Sequence, residues 1–72
     1  MANWTNYKIT ALKALESEDY EEAERQWQSA LKEAERFGQK DGRYALSVDN
    51  LALTHHHLGR PQKAEPLYKL AV

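Results

Sequence analysis

Cysteine is missing from all 72 residues, so no disulfide staples the chain and no thiolate holds zinc. Glycine is scarce: Gly38, Gly42 and Gly59 stand singly and read as terminators rather than as a phosphate-cradling loop. No charge of one sign dominates, the formal net being −1 at pH 7, and nucleic acid is therefore not an implied partner. No run approaches the roughly 18 apolar residues of a membrane span, and no basic segment leads into an apolar one as in a secretory signal. A cytoplasmic protein without a membrane partner is expected. Catalytic constellations are lacking as well. Ser17, Ser29 and Ser47 have no adjacent His and no Gly-rich elbow. The carboxylates between Glu16 and Glu24 have no complementary base and read as a helix start. Neither an enzyme nor a cofactor is expected.

What is present points to helices. Hydrophobic residues make up 42% of the chain, ten of them alanines, and charged residues reach 29%, a helix-prone globular composition. At this length the chain is one domain at most, with a core that barely suffices. Residues 1–37 hold five bases against eight acids and residues 38–72 hold five against three, an asymmetry small enough to read as two solvated faces.

Periodicity predicts four helices. The first carries Trp4, Tyr7, Ala11, Ala14 and Leu15 as its apolar stripe and ends near Ser17. The second begins at Asp19, which with Glu22 forms a capping-box pattern. Its stripe is Tyr20, Ala23, Trp27, Ala30, Leu31 and Ala34, and Gly38 stops it after Phe37. A connector, Gln39 to Arg43, contains Asp41 as N-cap of the third helix, whose stripe is Tyr44, Val48, Leu51, Ala52, His55 and Leu58. Gly59 ends it and Pro61 opens the fourth, with Ala64, Leu67, Tyr68 and Ala71 in phase. Pro66 removes one backbone donor and crowds the Gln62 carbonyl, so a bend or a late start is open there, but the stripe runs through it in phase and a helix is still expected. The aromatics on these stripes, Tyr68 included, are expected in the core.

The sequence also matches itself. A shift of 41 residues lays Tyr7 on Val48, Ala11 on Ala52, Ala23 on Ala64, Glu24 on Glu65, Trp27 on Tyr68 and Ala30 on Ala71. Small residues fall on small and bulky on bulky, as two repeated helical hairpins require.

At these residues the chain resembles a known family. Asp19-Tyr20-Glu21-Glu22-Ala23 with Trp27, Ala30 and Leu31 resembles the second helix of the tetratricopeptide repeat. Asn50-Leu51-Ala52-Leu53, Leu58-Gly59-Arg60 and Ala64-Glu65-Pro66-Leu67-Tyr68-Lys69 resemble its long-period variant, as in kinesin light chain. The resemblance covers about residues 4 to 72 and implies one all-α domain of two tandem helix-turn-helix hairpins, a short right-handed α-solenoid. Repeat 1 would span about 4–40 and repeat 2 about 43–72, the latter with an incomplete final helix. Thr10 and Ala14 depart from the family's Leu and Tyr, and His55 stands for its usual Tyr. Glu18 occupies the place of the inter-helix Gly, so a left-handed non-glycine residue is expected there. The family norm of three or more repeats with a capping helix implies the N-terminal part of a longer array, or completion by association.

The resemblance also implies a function. In this family the first helix of each hairpin lines a concave face that binds extended peptides. The lining carried over is Lys8, Ile9, Leu12 and Glu16, then Asp49, Asn50, Leu53, His56 and His57. Asn50 matches a family asparagine whose amide pairs with peptide backbone, with a helix–helix hydrogen bond as the competing use. Leu12 stands where the carboxylate-clamp subtype has Asn. The alternative is self-assembly through Leu67, Leu70, Ala71 and Val72, giving a homo-oligomer or helix swap. The run His55, His56, His57 cannot converge on one ion, because successive helical residues point roughly 100° apart. One packed histidine (His55) and two groove or surface ones are expected, and a metal bridge between chains stays open.

Overall fold

The computed structural model describes residues 3–71. Helix α1 runs Trp4–Glu16, α2 Tyr20–Ala34, α3 Gly42–His57 and α4 Pro61–Ala71. A turn of 3-10 helix, Glu35–Phe37, tightens the end of α2 before Gly38 reverses the chain at φ 93°. Gly42 is not a terminator: it is the first residue of α3, so the connector is shorter than predicted.

The starts of α1, α2 and α3 are each written in a short polar side chain. Asn3 accepts from the Asn6 N–H at 3.1 Å, and Asp19 from the Glu22 N–H at 3.3 Å. Such caps satisfy donors that a helix start leaves unpaired. Asp41 does more: it accepts the Arg43 backbone N–H at 2.8 Å and the same guanidinium through Nε and Nη2. The Arg43 side chain, then its backbone N–H, pull the Asp41 carboxyl down to about 2. That guanidinium also lies 3.4 Å from the Phe37 ring centre, closing the connector by a cation–π contact. The capping box at Asp19 is realised by half. Its own N–H is taken by the Ala14 carbonyl, and the Glu22 carboxylate goes to Arg25 and Gln26 instead.

The two hairpin turns are the same turn twice. Glu18 N–H donates to Leu15 O and Asp19 N–H to Ala14 O, while Gly59 N–H donates to His56 O and Arg60 N–H to His55 O. This is the Schellman pattern, in which a left-handed residue lets two N–H groups reach back to the last carbonyls. Glu18 adopts φ 58° and Gly59 φ 72°, so the left-handed non-glycine residue that the family resemblance implied is there.

Helix α2 packs against α1 on one side and α3 on the other, and α4 packs on α3. The Cα envelope is a slab of 29 × 27 × 13 Å. Small residues permit the close approach: Ala11, Ala23, Ala30, Ala34 and Ala52 are fully buried, with Trp27 and Val48 filling the space between. Trp27 is enclosed so completely that its Nε1 has no hydrogen-bond partner. Trp4 instead donates its Nε1 proton to Ser47 Oγ at 2.7 Å, a direct tie from α1 to α3.

Helix α4 runs from Pro61 through Pro66, as its in-phase stripe led one to expect. Tyr68 is 40% exposed rather than core, because α4 has its main packing partner in α3 alone among the described residues. Conversely Ser47 and Thr54 are fully buried. Their hydroxyls donate to the Arg43 and Asn50 carbonyls one turn back, which removes the penalty of burying them.

Candidate functional site

The first helix of each hairpin supplies the surface to be tested. On α1, Ile9, Leu12 and Glu16 are exposed and Lys8 is half-buried, its ammonium 5.2 Å from the Trp4 ring centre. On α3, Asp49, Leu53, His56 and His57 are exposed and Asn50 is half-buried.

The structure gathers part of this set. An open concavity of about 550 Å³ is lined by Ile9, Leu12, Lys13, Leu15 and Glu16. Three of these were expected; Lys13 and Leu15 were not. Lys8 and the α3 residues do not line it. The α3 set has its own addition in Leu46, 40% exposed. It sits four residues before Asn50 and seven before Leu53, a helical spacing that could have found it.

Local contacts divide the α3 residues. Asn50 Nδ2 donates to the Leu46 carbonyl at 2.9 Å, within its own helix and not to a neighbouring one. The His57 ring stacks on Tyr20 at 4.6 Å between centres and 3° between planes, tying the end of α3 to the start of α2. His56 meets His57 only edge-on, at 6.1 Å. His55 faces the other way and is buried. On α4, Leu67 is half-buried and Leu70 is 56% exposed; the Ala71 side chain and Val72 lie outside the described residues.

Packed helical hairpins repeating the same turn, with exposed apolar residues on the first helix of each, define an all-α repeat protein. The family model for the tetratricopeptide repeat matches residues 5–72, and the chain belongs to that family. Repeats of this family mediate protein–protein interactions. No curated protein and no solved structure matches the chain. Among the described residues, no helix is long and apolar enough to cross a membrane.

Proposed function

We propose that this chain is a non-catalytic binding module for an extended segment of a protein partner, docked on the faces of α1 and α3. It needs no cofactor and acts in the cytoplasm as one domain, with repeats at about 4–40 and 43–72. The observation that carries the reading is a matched pair. Leu12 and Leu53 occupy equivalent positions in the two hairpins and stay 44% and 38% exposed, although burying a leucine contributes about 1.5–3 kcal/mol. Ile9 and Leu46 extend the apolar surface, and Lys8, Glu16, Asp49, His56 and His57 supply polar contacts around it. Asn50 spends one N–H on Leu46; its second N–H and its carbonyl oxygen serve the bound backbone.

The test is selection from a phage-displayed library of random linear peptides, followed by fluorescence anisotropy on the selected sequences. Asn50→Ala and Leu53→Glu are expected to weaken binding about tenfold or more with helicity unchanged. Failure to select any peptide, or selected peptides that bind both variants as well as wild type, overturns the reading.

A second reading is favoured by α4, where Tyr68 and Leu70 are exposed beside half-buried Leu67. There a second copy of the chain would cover Leu67, Leu70, Ala71 and Val72. Light scattering on the same samples decides it: a dimer that Leu70→Glu dissociates supports this reading, and a monomer at every concentration removes it.

A further inference from the structure

One cluster joins the two hairpins through charge, and it is asymmetric. Glu24 reaches from α2 with its side chain only 18% exposed, and Arg60, from the α3–α4 turn, donates Nη1 to its Oε2 at 2.9 Å. The same oxygen lies 3.8 Å from His55 Nδ1, beyond hydrogen-bond reach. That nitrogen is buried without a partner, on a side chain 6% exposed. A buried polar atom left unpaired beside a carboxylate is a site with one unused proton position.

We propose that Glu24, His55 and Arg60 form an acid-sensitive clasp between the hairpins, closed while His55 is neutral and loosened when a proton is added to it. With the proton on, two cations, buried His55 and part-exposed Arg60, face one carboxylate, and Lys63 on α4 adds a third positive charge nearby. Glu24 Oε2 is already taken by Arg60 and stands 3.8 Å from His55 Nδ1, so the new N–H on this buried ring has no acceptor in place and its charge is added beside an existing cation.

The charges facing the ring fix the sign. Burial pushes His55 below its ordinary 6.5; Glu24 on α2 opposes this, and Arg60 and Lys63 add to it. The unfolded chain therefore takes up the proton first as the pH drops. Stability is complete above the ordinary value and falls as the pH passes below it, until the folded form is protonated too. The exposed His56 and His57 do not share this environment.

Thermal unfolding followed by circular dichroism between about pH 7.5 and about pH 5 tests the clasp. His55→Tyr keeps a ring in the site and removes the titration. Wild type and His56→Gln are expected to lose several degrees of melting temperature more than His55→Tyr over this range. An equal loss in wild type and His55→Tyr overturns the proposal. NMR titration of the His55 ring in the wild-type chain decides independently, should His55→Tyr fail to fold. Titration below 6.5 supports the clasp, and titration at or above it overturns it.

Discussion

The turns at 17–19 and 58–60 make the same hydrogen bonds with different residues, and the helices they join meet different surroundings. In the first hairpin Glu18 bears the left-handed conformation, at a cost of about 1–2 kcal/mol for a residue with a Cβ; in the second, Gly59 bears it freely. In the first hairpin the bulky residue of the second helix, Trp27, is fully buried; in the second its counterpart Tyr68 is 40% exposed. The difference lies in the neighbours. Helix α2 is held between α1 and α3, whereas α4 leans on α3. Equivalent residues in a repeat thus have equivalent backbone roles and unequal packing roles.

That contrast breaks most visibly at Trp27. Trp27→Ala is expected to cost about 3–5 kcal/mol, enough to unfold a marginal domain, whereas Tyr68→Ala should cost about 1 kcal/mol or less. Urea denaturation measures both, and similar losses would mean that the two positions are packed alike. The link between hairpins comes next. Ser47→Ala leaves the Trp4 indole N–H unpaired and should cost about 1–3 kcal/mol, while Asn6→Ala, its exposed counterpart, should stay within about 0.5 kcal/mol. The turns give the smallest effect and the sharpest sign. Glu18→Gly should stabilise by up to about 1 kcal/mol and Gly59→Ala destabilise by about 1 kcal/mol. No atom lies within 4 Å of a Cβ added at Gly59, so its loss would report backbone conformation alone. Both variants shifting the same way would refute the equivalence of the turns.

These differences also explain what could be read in advance. Asp19 and Asp41 were legible as caps because capping is settled within three residues, and the buried alanines because helical periodicity marks them. The left-handed Glu18 was legible only through the family resemblance, in which it occupies the place of the inter-helix Gly. Ser47 and Thr54 were missed, since a search for apolar stripes discounts hydroxyls that their own helix satisfies. Tyr68 was placed in the core because a stripe tells which face is apolar, not whether anything covers it. Of the candidate surface, Ile9, Leu12 and Glu16, named from the family resemblance, lie along one concavity on α1. Lys13, Leu15 and Leu46 were not foreseen, and the partners of Asn50 and His57 depend on rotamers that no spacing rule fixes.

The two tryptophans differ in a way that light can read. Trp4 donates its indole proton to Ser47 across α1 and α3, while Trp27 sits dry and unpartnered between the helices. An indole in apolar surroundings without a hydrogen bond emits to the blue of one that donates a proton. The chain therefore carries one emitter at the seam between its hairpins and another at its centre. Replacing either with Phe leaves a single-colour probe, so that opening of the seam and collapse of the centre become separate optical events on the unlabelled protein.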